Sequence, residues 1–112
     1  RKREVLRRRI LRLMEYYIHS VPVFVMGDKP VCSIPEFCEE AEDLVSSSLL
    51  SGVDVVYIGD MRELAGRNAT YANAAIYMTN KEPTVEDMLE NFVHEVAHSL
   101  EGSYGNLHTR LD

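Results

Sequence analysis

An α+β fold is expected for this chain of 112 residues, on three observations. Apolar residues recur at helical spacing in three segments, short β-branched runs lie between them, and Gly, Pro, Ser and Asp punctuate the joins. Together these predict one domain over residues 1–112, with a short mixed or antiparallel sheet of about three strands packed on two or three helices. The most strongly signalled helix lies near the C-terminus.

The elements follow in the order α-β-α-β-turn-β-α. From Arg3 to about His19, Leu6, Ile10, Leu13 and Tyr17 keep the helical period, and Val5, Met14 and Ile18 widen the stripe. Val21–Met26 reads as a strand ended by Gly27-Asp28-Lys29-Pro30. Ser33 and Glu36 have capping-box spacing, with Pro35 in the first turn, so a second helix starts there. Its inner face is Phe37, Ala41, Leu44, Val45 and Leu49, and Gly52 is a natural stop. Val53–Ile58 is a second strand, Asp60–Gly66 one or two helical turns, and Ala74–Thr79 a third strand. Thr84 and Asp87 cap the last helix. Val85, Met88, Leu89, Phe92, Val93, Val96 and Leu100 form its apolar side, and Gly102 marks its end before a polar tail.

Charge is unevenly distributed. The chain carries −6 overall, yet residues 1–12 hold seven of the twelve basic residues against Glu4 alone. That segment is +6 and the remainder −12, so the body is too acidic for general nucleic-acid binding, which rests on phosphate neutralisation. No apolar run approaches a membrane span. The opening residues do not read as a secretory signal, which with only two cysteines favours a cytoplasmic location. The start at Arg1 suggests a fragment or processed form. Cys32 and Cys38 are too few to staple a domain and too far apart in sequence for a CxxC pair, and buried free thiols are expected.

The chemistry concentrates in His94-Glu95-Val96-Ala97-His98. Residues four apart lie on the same helix face, about 6 Å apart along the axis, so two imidazoles can converge on one metal ion. Glu95, one position on, brings a carboxylate beside the ion, where it can take a proton from an activated water. Asp87, Asn91, His94, His98 and Glu101 form one polar stripe opposite the apolar side, so the pair faces a cleft or solvent.

An HExxH segment on a helix directly after a short strand resembles the zincin metallopeptidases, and the size and element order are similar to minimal gluzincin-type domains. The resemblance is specific over residues 74–101. It implies a zincin-like domain, with Zn2+ held by His94 and His98 and Glu95 as general base in peptide hydrolysis. It further implies that an extended peptide or protein substrate pairs with an edge strand at Ala74–Thr79, on Ala75, Ile76 and Tyr77. A gluzincin takes its third ligand from a later helix, and the fourteen residues after His98 are too few for one. Where the metzincin pattern has Gly and a third His, this chain has Glu101 and Tyr104. Candidates for the third ligand are His108, if the chain doubles back at Gly102 and Gly105, then Glu101, then Asp112, or a residue beyond this chain.

Two other functions fit the same motif. One is a catalytically weak or inactive peptide-binding or regulatory module of this fold. The other is a metal-dependent amidase of deformylase type, whose third ligand is typically an upstream Cys, here Cys32 or Cys38. Tyr71, Tyr77 and Tyr104 are candidates for oxyanion stabilisation. The oligomeric state is open.

Overall fold

The computed structural model describes residues 15–111, with side chains through Glu101. The helix expected over Arg3–His19 lies outside these residues as far as Met14, and its last part is a strand instead. Tyr16-Tyr17-Ile18 combines aromatic and β-branched side chains, which suit a pleated surface, and these residues have a partner close by in sequence. They form β1 (Tyr16–Ile18), paired antiparallel with β2 (Val21–Val25) across the two-residue turn His19-Ser20. His19 takes the left-handed conformation (φ 56°), a region His tolerates better than most residues. Its backbone N–H donates to Glu42 Oε2 (2.6 Å) and its Nε2 bonds Val45 O (2.7 Å). The turn therefore caps the end of α1 (Ile34–Leu44).

The sheet has five strands rather than about three. With β3 (Val55–Ile58), β4 (Ala69–Ala72) and β5 (Ala75–Met78), the order is β1-β2-β3-β5-β4. The three central strands are parallel, and each edge strand is antiparallel to its neighbour. The chain passes from β2 to β3 through α1 and a 3₁₀ turn (Ser47–Leu50). It passes from β3 to β5 through a second 3₁₀ turn (Arg62–Leu64) and β4. Asn73 and Ala74 turn the β4–β5 hairpin with φ of 52° and 63°, the pattern of a two-residue hairpin loop with both central residues left-handed. At Gly59 the backbone of β2's exit passes so close that an added Cβ would lie 2.5 Å from Met26 O, so only glycine fits.

The second helix, α2 (Val85–Leu111), starts where Thr84 predicts, with Asp87 N–H donating to Thr84 Oγ1 at 3.1 Å. It does not stop at Gly102 but runs on to Leu111. Ser33 caps α1 as expected, accepting from Glu36 N–H at 3.3 Å. Both helices lie on one face of the sheet. Ile18, Val21, Val23, Val56, Ile58, Ile76 and Met78 from that face form one core with Phe37 and Ala41 of α1 and Met88, Phe92 and Val96 of α2. Phe37 and Phe92 meet edge to face, centroids 5.7 Å apart. Three residues assigned to inner faces are instead exposed: Leu44, Leu49 and Val93. The first two fail because the helix ends at Leu44 and the chain re-enters as a 3₁₀ turn, which changes the period. No helix among the described residues is long and apolar enough to cross a membrane.

Two stability predictions follow from the backbone and from a buried thiol. Ala74 sits in a left-handed conformation that costs a non-glycine residue about 1–2 kcal/mol. Ala74→Gly removes that strain and adds about 0.5–1 kcal/mol of chain entropy to lose. Urea unfolding of Ala74→Gly is expected to show a gain of up to about 1 kcal/mol. Cys38 is 6% exposed, and burial, with Glu42 nearby, pushes its thiol from an ordinary value near 9 up to about 12. The folded chain keeps a proton that the unfolded chain releases above pH 9, so stability falls as pH rises through that window. Unfolding curves at pH 8 and pH 10.5 check this: the loss is expected to be smaller in Cys38→Ala.

Candidate metal centre

The pair of imidazoles is set by α2 alone. Val85, Met88, Phe92, Val96 and Ser99 are buried, which fixes the rotation of the helix about its axis. His94 and His98 then stand on its exposed side. Their Nε2 atoms approach to 3.0 Å, with ring planes at 87°. Glu95 lies between this stripe and the core and is 6% exposed. One ligand atom from each of His94, Glu95 and His98 falls within 4.8 Å of the others.

The opposite wall is β4. A cleft of about 520 Å³ runs between α2 and this strand, lined by Arg67 to Tyr71 on one side and Asn91, His94, Glu95 and His98 on the other. The edge expected at Ala74–Thr79 is therefore one strand out of place. Ala75, Ile76 and Tyr77 sit in β5, paired with β3 on one side and β4 on the other, and have no open edge for a substrate. The hairpin turn carries no glycine, so the sequence pattern alone does not separate β4 from β5.

Ladder geometry identifies which groups of β4 face outward. Thr79 N–H donates to Asn68 O at 2.8 Å, so residues 68 and 79 are a hydrogen-bonded pair. Alternation then turns the N–H and C=O of Ala69 and Tyr71 away from β5, toward the open edge. The same alternation on β5 directs Met78 O and Ala74 O to Gly59 N–H (2.9 Å) and Asp54 N–H (2.7 Å), on the β3 side.

The third-ligand candidates resolve as follows. Glu101 is not beside the imidazole pair's Nε2 atoms; its carboxylate accepts from His98 Nδ1 at 3.1 Å. With a proton on Nδ1, the Nε2 lone pair of His98 is directed to the cleft, the arrangement that orients metal-binding imidazoles. His108 cannot double back, because α2 continues through it and places that position about 15 Å beyond His98 along the axis. Asp112 lies outside the described residues. Cys32 Sγ donates to Glu82 O at 2.9 Å, and Cys38 is buried. Neither joins the cluster, and among the described residues no further His, Cys, Asp or Glu does. Tyr71 donates its hydroxyl to Gly52 O at 2.8 Å, tying β4 to the start of β3. Tyr77 stacks on Tyr57 on the sheet face away from the helices, and the Tyr104 side chain is outside the description. Asn91, not singled out from the sequence beyond its place on the polar stripe, lines the cleft and donates to the Glu82 carboxylate.

Comparison with family models, with curated proteins and with solved structures finds no match for this chain.

The geometry predicts metal uptake through the two imidazoles. Equilibrium dialysis against Zn2+ is expected to load about one ion per chain, with His94→Ala and His98→Ala each abolishing it. Glu101→Ala is expected to weaken affinity about 10- to 100-fold, the usual cost of losing a carboxylate behind a ligating imidazole.

Proposed function

We propose that this chain is a zinc-dependent metallopeptidase domain that hydrolyses peptide bonds, with Glu95 as general base. The observation that carries the reading is the 3.0 Å approach of the His94 and His98 Nε2 atoms beside the Glu95 carboxylate in one cleft. Two nitrogens bound to one tetrahedral zinc at about 2.0–2.1 Å stand about 3.3 Å apart, so the pair needs little movement to hold the ion. Bound there, zinc supplies Lewis acidity, lowering the pKa of a water and polarising the scissile carbonyl.

The chain's own residues supply the rest. Glu95 accepts the proton of the attacking water and hands it to the leaving nitrogen. Glu95 lines the cleft and is only 6% exposed, so little solvent has to reorganise around its carboxylate during the transfer. The outward N–H and C=O groups of Ala69 and Tyr71 offer an extended peptide main-chain hydrogen bonds, the strand-addition mode of peptide capture. Glu101 fixes the His98 imidazole by its Nδ1.

A second reading, a peptide-binding module with weak or no catalysis, is favoured by one observation. The described residues bring two imidazoles and one carboxylate together where a catalytic zinc normally has three protein ligands besides water. A panel of fluorogenic peptides separates the two, and peptide binding without turnover by zinc-loaded protein supports the module.

For the peptidase, Glu95→Ala is expected to keep the metal and lose at least about 10²-fold in kcat, the low end for a general base. Full activity in that variant would sink the mechanism. Ala69→Pro removes one outward N–H while leaving the ladder to β5 intact. It is expected to raise KM for peptides with kcat little changed.

A further inference from the structure

The cleft beside α2 holds a cation that the proposed hydrolysis does not use. Arg67 lines it with Asn68 and Thr70, across from Asn91 and the imidazoles. Its backbone is fixed on both sides. Arg67 N–H donates to Leu64 O at 2.9 Å, closing the turn after the second 3₁₀ segment. Left-handed Gly66 (φ 82°) lets that turn form. The next carbonyl, Asn68 O, accepts from Thr79 N–H at 2.8 Å, where the pairing with β5 begins. The Arg67 side chain therefore starts from a fixed point in the cleft wall. On an acidic protein the ordinary fate of a cation is a surface ion pair. Residues 15–101 contain sixteen acidic residues against four basic ones, and Lys81 pairs with Asp60 at 3.7 Å. Among the described residues no carboxylate, Glu95 included, lies within 4.0 Å of the Arg67 guanidinium. A guanidinium is a planar fork of N–H donors that matches a carboxylate at two points, and no described carboxylate occupies this one.

We infer that Arg67 is a specificity residue that selects peptides bearing a carboxylate. The inference rests on the proposed capture of an extended peptide along β4. Arg67 precedes Ala69, whose main-chain groups face outward, by two residues, at most about 7 Å along the chain. A peptide paired with both Ala69 and Tyr71 runs on toward Arg67, and the residue about two positions beyond the one bonded to Ala69 comes beside it. In antiparallel pairing, the commoner kind, the peptide runs from Tyr71 to Ala69, so its C-terminal side arrives there. Two carboxylates are available at that end: the side chain of an acidic residue and the terminal carboxylate itself. Either accepts two charge-assisted N–H···O bonds from the guanidinium. With the body of the protein acidic, attraction of such a peptide is local to this cation rather than a property of the whole surface.

The test is equilibrium binding, read by fluorescence anisotropy, on zinc-loaded Glu95→Ala so that no peptide is consumed. The probes are N-terminally labelled alanine-based hexapeptides with Glu or Gln at each position in turn, each made with a free or an amidated C-terminus. A carboxylate is expected to tighten binding about 10- to 100-fold over its uncharged counterpart, the worth of hydrogen bonds between charged groups. A gap between Glu and Gln at one position identifies a side-chain carboxylate, and a gap between acid and amide identifies the C-terminus; both support the assignment. Adding Arg67→Gln is expected to erase the gap, with affinity for the Gln amide peptides and zinc uptake unchanged. Equal affinities throughout the set, or a gap that survives Arg67→Gln, would overturn the role of Arg67 while leaving peptide capture standing. Failure of every peptide to bind would overturn strand addition and this inference with it. A carboxylate preference that Arg67→Gln removes, in a chain whose unsubstituted Glu95 form cleaves none of the peptides, would support Arg67 and count against the peptidase reading alone.

Discussion

The seating of Phe92 against Phe37 governs the geometry of the candidate site. Phe92 is fully buried and meets Phe37 edge-on where α2 crosses α1. Aromatic pairs of this kind add directional preference to burial, so the contact fixes the rotation of α2 as well as its distance from the sheet. Each residue along a helix turns about 100°. With Phe92 and Val96 in the core, Glu95 falls at the margin of the buried arc, His98 beyond that margin and His94 on the far, exposed side. A rotation of α2 by even one residue's worth would bury an imidazole or expose the carboxylate. The division between a buried carboxylate and two solvent-facing imidazoles is thus a consequence of hydrophobic packing.

The parts of this arrangement that were legible in the sequence are those fixed locally. The spacing of His94 and His98 places them on one face of any helix, and the Thr84 cap and the apolar side of α2 are also local features. The facing wall was not legible, because it depends on which strands pair. Ala69–Ala72 is short and only weakly apolar, and its turn is Asn73-Ala74 rather than Asn-Gly. The usual hairpin signal is therefore missing, and β4 could be recognised only from its partner. Tyr16–Ile18 poses the converse problem. Tyr17 and Ile18 continue the helical spacing of the residues before them, and only the neighbouring β2 draws them into a sheet. Likewise Leu44 fits the period of α1 but sits at its last residue, where the helix no longer faces the core.

Glu101 illustrates how a residue's place in the pattern and its role can diverge. Its position on the polar stripe made it a candidate ligand, yet at one turn past His98 its nearest imidazole nitrogen is Nδ1, the atom pointing away from the pair. At that distance a carboxylate serves better as an acceptor behind the ligand than as a ligand. It selects the tautomer whose Nε2 is unprotonated and increases the donor strength of that nitrogen. Among the described residues His94 has no such partner, so the two imidazoles are chemically unequal. His98 is the one pre-oriented before any ion arrives.

The open edge of β4 needs a physical account, because an unpaired strand edge invites association with other chains. At the other edge of the sheet, β1 has only three residues and closes directly into a turn capped on α1. The β4 edge is different: α2 lies alongside it and the cleft between them holds Glu95 and both imidazoles. A folded partner approaching edge to edge would meet the helix first, whereas a single extended chain can enter between strand and helix. The feature that limits indiscriminate sheet extension is the same one that brings an entering backbone beside His94, Glu95 and His98. The outward main-chain groups of β4 thereby lie where the proposed chemistry uses them.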